Sequence, residues 1–252
     1  MSENEKNILD PSAKHDEGIV VSAIEQSNLQ LLREANAAEE LEKSMTFTEA
    51  LKLWWPAVLY SCAISTGIIM EGYDYLLLAQ FYAMPSFCKR YGKWSEKAGR
   101  YEIPAPWQAA LSNGCLIGEI TGLYISGFAI ERYGYRRTML GALGAIILFV
   151  FIPFFAKNLI MLEFGEILCG IPWGIFQTLT CAYASDVVPI KLRPYLTTYT
   201  NLCWVIGQLI GSGVLRGFVE RPDEWSYRVP FAIQWFWPVP IGIAAIFAPE
   251  SP

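Results

Sequence analysis

The chain has 252 residues, of which 53% are hydrophobic and only 17% are charged, and its formal net charge is −5. Its apolar residues fall in blocks near the ~20-residue length that crosses a bilayer, and its mean hydropathy is +0.29. This pattern argues against an ordinary soluble domain, where about 25% of residues are charged. No segment is dominated by basic residues, so no nucleic-acid partner is expected.

The residue types present give little support for catalysis or metal binding. The six cysteines fall mostly inside apolar blocks and form no C-x-x-C pair, which is typical of small packing residues. The single histidine, His15, lies in the polar N-terminal segment. We therefore predict no metal site, no cofactor and no enzyme activity, because no nucleophile–base set is apparent either.

The N-terminal segment, residues 1–45, is rich in acidic residues and is predicted to be a partly disordered cytosolic tail with a helix over 24–43. Its polar start shows no signal peptide. The next residues, Thr46-Phe47-Thr48-Glu49, form a capping-box pattern that predicts the start of a helix.

Six apolar stretches follow the tail and predict six membrane-spanning helices. Their predicted bounds are 54–78, 111–130, 139–156, 159–183, 195–215 and 229–248. The fold class predicted for residues 46–252 is therefore an all-α integral membrane bundle of six helices. Closely spaced glycines predict close helix packing at Gly114/Gly118/Gly122, Gly141/Gly144, Gly170/Gly174 and Gly207/Gly211. Basic residues occur in both sets of loops, so the positive-inside rule does not fix the orientation.

Carboxylates within these spans are the most informative feature of the sequence. Glu71, Asp74 and Glu119 lie in spans one and two, where a charge costs roughly 3 kcal/mol and usually marks an ion or substrate path. Glu71 and Asp74 share a helix face, and Glu163 and Glu166 repeat that spacing in span four. Each acid either takes up and releases a proton during transport or makes a structural interhelical hydrogen bond. We favour the proton role for Asp74 and the structural role for Glu163, and leave the others open.

A charged motif lies between the second and third predicted spans. It reads Gly127-Phe-Ala-Ile-Glu131-Arg132-Tyr-Gly134-Tyr-Arg136-Arg137. A glycine lets two helix ends approach, and an acid with clustered arginines can hold neighbouring helices through charged hydrogen bonds. An ordinary basic turn would explain the same residues, and both interpretations stay open.

A second motif follows the fourth predicted span. It reads Tyr183-Ala-Ser-Asp186-Val-Val-Pro189-Ile-Lys-Leu-Arg193-Pro194. The two loops resemble the G-x-x-x-D-R-x-G-R-R and Y-x-x-E-x-x-P-x-x-x-R-G signatures of sugar porters in the major facilitator superfamily. The segments Gly72-Tyr73-Asp74 and Pro249-Glu250-Ser251-Pro252 resemble the family's G-Y/F-D and the start of its P-E-S-P-R-W motif.

The closest likeness is to fungal maltose and α-glucoside permeases, which are proton symporters. It rests on Met70-Glu71-Gly72-Tyr73-Asp74 and on Gly165-Glu166-Ile-Leu-Cys-Gly170-Ile-Pro-Trp-Gly174. The resemblance implies a multi-pass protein of the plasma membrane with both termini in the cytosol. It also implies proton coupling through the buried acids, with Asp74 leading, and a cytoplasmic gating motif. The gating motif comprises Gly127, Glu131, Arg132, Gly134, Arg136, Arg137, Asp186 and Arg193.

The sequence departs from the family pattern at several positions. Glu131 and Asp186 exchange one acid for the other and keep the charge. Tyr135 replaces an arginine, which predicts a weaker contact between the two loops, and Pro194 replaces a glycine. Glu166 stands where many sugar porters have an arginine that pairs with the acid of span one. An acid cluster is therefore expected in place of an acid–arginine switch.

The resemblance places sugar-contacting amides in span five, at Asn201 and Gln208. Amide side chains both donate and accept hydrogen bonds, which suits a hydroxyl-rich ligand, although a packing role is also open. Tryptophans of spans four to six are further candidates for stacking on a sugar, although most such residues pack or lie at an interface. They are Trp173, Trp204, Trp235 and Trp237.

Facilitator folds contain two six-span halves with the substrate between them, and this sequence resembles the N-terminal half only. The implied function is α-glucoside:proton symport, with the expectation that these 252 residues alone do not transport. The expected partners are an α-glucoside, a proton, the lipid bilayer, and a second half-transporter or another copy of the chain. The alternative is a membrane sugar sensor or interaction subunit that does not transport and acts through the tail.

Overall fold

A computed structural model describes the backbone of residues 11–96 and 98–247, and the side chains of this range apart from 11–25 and 27. The predicted motif over residues 249–252 and the side chain of His15 lie outside the described residues. The architecture is built almost entirely from helices. We call the end of the bundle that joins the N-terminal segment the tail-side end, and the opposite end the cap-side end.

The N-terminal segment forms one long helix, α1 (Pro11–Ser44), which extends well beyond the helix predicted over 24–43. The predicted capping box is confirmed, because the backbone N–H of Thr46 donates to the Glu49 carboxylate at 3.1 Å. It opens the short helix α2 (Phe47–Leu53), which meets the first span at a bend of 85°. Helix α2 is therefore sharply inclined to the first span.

The first span consists of α3 (Trp55–Ser65) and α4 (Gly67–Phe81), divided at Thr66. The segment that follows the first span is a small folded cap. The cap consists of α5 (Pro85–Tyr91) and a hairpin of β1 (Lys93–Ser95) and β2 (Arg100–Glu102). The two strands are antiparallel, with Trp94 opposite Tyr101.

The helix α6 (Ala105–Phe149) continues into the short α7 (Phe151–Phe154) and contains two predicted spans. Within α6, Gly134 has φ 79° and ψ 170°, a left-handed conformation that glycine adopts without steric cost. The chain reverses at this residue. The part before Gly134 runs parallel to the next helix, since Gly114 lies beside Glu163 and Gly122 beside Ile171.

The part after Gly134 runs antiparallel to the same helix, α8 (Leu159–Val187). Tyr135 contacts Asp186 near the end of α8, and Pro153 lies beside Gly165 near its start. The two predicted spans 111–130 and 139–156 are thus separate passes along α8.

The remaining elements are α9 (Arg193–Phe218), α10 (Trp225–Ile233), a 3₁₀ turn (Gln234–Phe236) and α11 (Pro238–Phe247). In the described part of the chain, three helical stretches are long and apolar enough to cross a membrane. They are Ala105–Phe154, Leu159–Val187 and Trp225–Phe247, and a fourth is counted if the bent pair of α2 with Trp55–Phe81 forms one span. Helix α9 is long but more polar, with its buried residues on one face.

Close glycine packing is confirmed at most of the predicted positions. A Cβ atom added to Gly118 would lie 2.0 Å from the carbonyl oxygen of Ile167, and one on Gly207 would lie 2.1 Å from that of Ile69. The backbones of α6 and α8, and of α4 and α9, therefore touch. The prediction is wrong for Gly141 and Gly144, where an added Cβ would meet no described atom within 4 Å.

The helices enclose two main cores. One surrounds Trp173 and Phe176 in the middle of the bundle and continues toward the tail-side end. The other is aromatic and lies at the cap-side end, around Phe81, Phe87 and Phe231. The predicted fold class, an all-α membrane bundle, is confirmed, although span one is divided at Thr66, span three at Val150 and span six at the 3₁₀ turn.

Candidate functional site

Asp74 lies at the centre of the bundle, 3% exposed, where α4, α8 and the 3₁₀ turn meet. The indole N–H of Trp173 donates to its Oδ2 at 3.3 Å, and the amide of Gln234 donates to its Oδ1. Gln234 lies where the sixth pass changes from α-helix to a 3₁₀ turn. Hydrogen-bond donors from two other passes of the chain thus bind the carboxylate of Asp74, which lies on the first pass.

Glu166 lies next to Asp74 and is only 1% exposed. The two acids line the same small cavity, of about 50 Å³, together with Ser112 and Cys115. A polar cavity of this size has room for ordered water. No described residue forms a hydrogen bond with Oε1 of Glu166 or Oε1 of Gln234. The expected acid cluster is therefore present around Asp74, without a basic partner among the described residues.

Glu71 and Glu119 form a second acidic group, one turn of α4 closer to the tail-side end. Glu71 is 7% exposed, and the amide of Gln177 donates to its Oε1 at 3.4 Å. Its other oxygen has no hydrogen-bond partner among the described residues. Glu119, on α6, is partly exposed and close enough to interact electrostatically with Glu71.

An open polar cavity of about 540 Å³ adjoins Glu71. It is lined by Gln177, Thr178, Asn201 and Trp204, so that Gln177 contacts both the acid and the cavity. Asn201 thus lies where a ligand could reach it. Gln208, the second predicted sugar contact, is partly buried two turns further along α9 and does not line this cavity.

The four candidate tryptophans have different surroundings. Trp173 is 1% exposed and bonded to Asp74, so it cannot stack on a ligand in this conformation. Trp235 donates to the carbonyl of Ile147 at 3.1 Å and has a packing role. Trp237 is partly buried in the central core. Trp204 is the candidate that lines the open cavity.

The two loop motifs meet at the tail-side end through a residue that was expected to weaken their contact. The hydroxyl of Tyr135 donates to Asp186 at 2.5 Å, so the tyrosine itself joins the start of the third pass to the end of α8. Arg193 donates to the carbonyl of Val188 at 3.2 Å.

The other charges of the gating motif form no ion pair among the described residues. Glu131, Arg132 and Arg137 are exposed, and no ion pair involves them within the described residues. Gly127 also faces open space, with no described atom within 4 Å of an added Cβ, so no helix approaches it in this structure. The motif therefore presents free charge at the surface.

Sequence reasoning missed Gln177 and Gln234, the two amides that bind the carboxylates. A signal was present for Gln234, because it is the single strongly polar side chain in an apolar run of the sixth span, where lipid leaves polar groups few partners. Its partner could not be named from the sequence, because that requires the packing of span six against span one.

Residues 59–252 match the family model described as sugar (and other) transporter. The chain belongs to this family. It is a multi-pass membrane protein of the sugar-transporter class and not an enzyme, as predicted.

Two relatives of this sugar-transporter family member come from Saccharomyces cerevisiae. The maltose permease MAL31 is 43% identical over 225 residues, which cover 88% of the chain and 37% of that permease. The general alpha-glucoside permease is 44% identical over 221 residues, which cover 87% of the chain and 36% of the relative. The chain thus spans little more than a third of the length of the curated relatives it matches.

Among solved structures, the proton:xylose symporter XylE bound to 6-bromo-6-deoxy-D-glucose superposes with a TM-score of 0.66. The identity is 18%, with 79% of this chain and 46% of XylE covered. The inward-open xylose transporter XylE from E. coli gives a TM-score of 0.63 at 19% identity, covering 76% and 48%. These matches establish the major facilitator fold of one half, as the sequence resemblance predicted.

Proposed function

We propose that the chain forms the N-terminal six-span bundle of an α-glucoside:proton symporter of the plasma membrane. The observation that carries the proposal is the buried, amide-bound carboxylate cluster of Asp74 and Glu166, one layer away from a polar cavity of sugar size. The permease names of the 43–44% identical relatives support the α-glucoside class.

The acid cluster gives a proton a place to bind. Two carboxylates that share a cavity without a cation repel each other when both are charged, and one proton held between them removes this repulsion. Asp74 is the better fixed of the two, because Trp173 and Gln234 hold both of its oxygens. No described residue binds Oε1 of Glu166, so Glu166 is the group whose charge the bundle stabilises less.

Glu71 and Glu119 connect proton binding to sugar binding. Gln177 binds Glu71 through its amide N–H and also lines the open cavity. A sugar hydroxyl that binds Gln177 would therefore change the hydrogen bond from Gln177 to Glu71. Trp204 supplies an apolar ring face in the same cavity, which suits the C–H face of a sugar.

A second six-span bundle completes the proposed transporter. Substrate in this fold is bound between two halves near the midplane, and the cavity at Asn201 is open on one side. The exposed charges Glu131, Arg132 and Arg137 would then meet the second bundle in one state and separate in the other. By this proposal residues 1–45 form an acidic cytosolic tail, both termini are cytosolic, and the 252 residues alone do not transport.

The test uses two proteins in a yeast host that lacks its own maltose permeases. One is the 252-residue chain, and the other is a chimera in which the chain continues into the C-terminal six spans of MAL31. Uptake of radiolabelled maltose and the accompanying alkalinisation of the medium are measured, with surface expression quantified for each. We expect proton-coupled accumulation by the chimera and none by the chain alone.

Variants of the chimera separate the parts of the proposal. Asp74→Asn keeps the size of the side chain and is expected to reduce accumulation at least tenfold, whereas Asp223→Asn, in an exposed loop, serves as the matched control. Unchanged accumulation in Asp74→Asn would refute the proposed role of Asp74 in proton coupling. Robust uptake by the chain alone would refute the need for a second bundle, and uptake of hexoses without maltose would refute the substrate class.

A further inference from the structure

The cap-side end contains a second cavity, of about 680 Å³, between the β-hairpin and the ends of α4 and α6. Its volume lies within the range of about 300–1,000 Å³ that is typical of small-molecule sites. It is separate from the cavity at Asn201, with which it shares no lining residue. A folded hairpin over a membrane bundle therefore encloses space that the proposed transport site does not use.

Two aromatic rings form one wall of this cavity. Trp94 and Tyr101 face each other across the hairpin, with ring centroids 5.2 Å apart at an interplanar angle of 74°. Cross-strand aromatic pairs stabilise hairpins, and this alone would explain their presence. Both side chains are nevertheless well exposed, at 58% and 42%, so ring surface is left for a ligand.

Polar groups of both charge signs lie beside the rings. Arg100 uses its Nε to bind Glu102 at 2.8 Å, which leaves its terminal N–H groups and the second carboxylate oxygen available. Gln108 donates to the carbonyl of Ile103 at 2.8 Å, and its own amide oxygen has no partner among the described residues. Lys89 also lines the cavity. Because donors and acceptors are mixed and a carboxylate is present, the lining suits a neutral, hydroxyl-rich molecule better than an anion.

The cavity leads toward the proton site. Ala79, a small exposed residue of α4, lines both this cavity and the cavity of Asp74 and Glu166. The hydroxyl of Tyr82 lies between them, 3.4 Å from that of Ser112. A molecule held under the hairpin would therefore sit at the cap-side entrance of the path along α4.

We propose that this cavity is an outer docking site for a saccharide, whose ring stacks on Trp94 or Tyr101 while its hydroxyls bind Arg100, Glu102 and Gln108. The site captures sugar at the cap-side surface before it reaches the cavity at Asn201. The identity of the ligand as a sugar rests on the proposed function, whereas the binding chemistry rests on the cavity itself.

The experiment measures maltose binding to the full chain in lipid nanodiscs, because maltoside detergents carry the headgroup of the probe. Saturation-transfer NMR reports contact, and titration gives Kd for the wild-type chain and for Trp94→Ala, Trp94→Phe, Trp225→Ala and Asn201→Ala. Trp225 is the matched control, since it is 54% exposed at the same end of the bundle and does not line the cavity. Thermal unfolding of each variant checks that the hairpin stays folded.

We expect Trp94→Ala to raise Kd about threefold to tenfold, in line with the loss of one aromatic contact, while Trp225→Ala leaves it unchanged. Trp94→Phe, which keeps a ring opposite Tyr101, is expected to give a smaller rise and decides the result if Trp94→Ala is unstable. Binding that falls in Asn201→Ala and not in either Trp94 variant would overturn the outer site and support the central one. Absence of any maltose binding would also overturn it, while the proposed function is judged separately by chimera uptake.

Discussion

The two ends of the bundle satisfy their polar and aromatic groups in different ways. At the cap-side end, Phe87 is fully buried and stacks against Phe81 at 5.1 Å, and Arg90 and Arg228 both reach Glu224. At the tail-side end, Glu131, Arg132 and Arg137 of the gating motif are exposed and form no ion pair within the described residues. Among the described residues, the two ends thus differ in how many of their charges form ion pairs.

Because of this difference, we expect cap-side residues to affect folding stability and tail-side charges to affect function. A self-contained aromatic core stabilises the cap whatever lies beside the bundle, because burial and ring packing are local. Unpaired surface charges contribute little to the stability of a single bundle. By the proposed function, they serve a contact with a second bundle. Variants at the two ends should therefore affect different measurements.

The largest effect on stability is expected from Phe87→Ala at the cap-side end. The ring is fully buried between Phe81, Tyr91 and Tyr227, so that its removal leaves a cavity in a packed aromatic core. Substitutions of this kind cost roughly 3–5 kcal/mol. The measurement is the free energy of unfolding by denaturant in micelles. Trp225→Ala, at an exposed position of the same end, is the control, and equal effects of the two variants would contradict the account.

A smaller loss of stability is expected from Tyr135→Phe at the tail-side end. This variant removes the hydrogen bond to Asp186 and nothing else of the ring, and an exposed bond of this type contributes about 1 kcal/mol. The same unfolding measurement applies, with Tyr133→Phe as the control, because Tyr133 is 55% exposed. No difference between the two variants would show that the contact between the loops does not stabilise the bundle.

A pH-dependent effect is expected at the start of α2. The hydrogen bond with Thr46 holds the pKa of Glu49 below its ordinary value of 4.5. A carboxyl whose pKa is lowered by folding stabilises the folded state above its ordinary pKa, and this contribution is lost as the pH falls through the folded value. Acidification in this range should therefore destabilise the wild-type chain more than Glu49→Gln. Parallel pH profiles of the two proteins would exclude this role.

The sequence was a good guide where one segment determines its own structure. The capping box at Thr46 depends on four consecutive residues, and the spans follow from the length of the apolar runs. Glycine spacing predicted close packing for Gly118 and Gly207 but failed for Gly141 and Gly144. The pair that failed is spaced by three residues and the others by four, and the position of the neighbouring helices decides which glycines are buried.

The candidate site was less accessible to sequence reasoning because it depends on contacts between distant passes. Asp74 was predicted from its place in an apolar span, and Glu166 from its departure from a family motif. The amide that binds Asp74 was not predicted, since Gln234 meets Asp74 across 160 positions of the chain. Tyr135 was interpreted through the arginine that it replaces, whereas its hydroxyl makes the contact with Asp186 by different chemistry.

The smallest effect on stability, and the sharpest test of the comparison, is expected from the double variant Glu131→Gln, Arg137→Gln. Both side chains are exposed, and neither forms an ion pair within the described residues, so the free energy of unfolding of the chain should change by less than about 0.5 kcal/mol. In the chimera with the C-terminal spans of MAL31, the same variant should reduce maltose uptake several-fold at equal surface expression. A loss of stability in the chain alone would show that these charges hold this bundle together. Unchanged uptake in the chimera would show that they serve no second bundle, and the free charge of the tail-side end would then be an ordinary solvated surface.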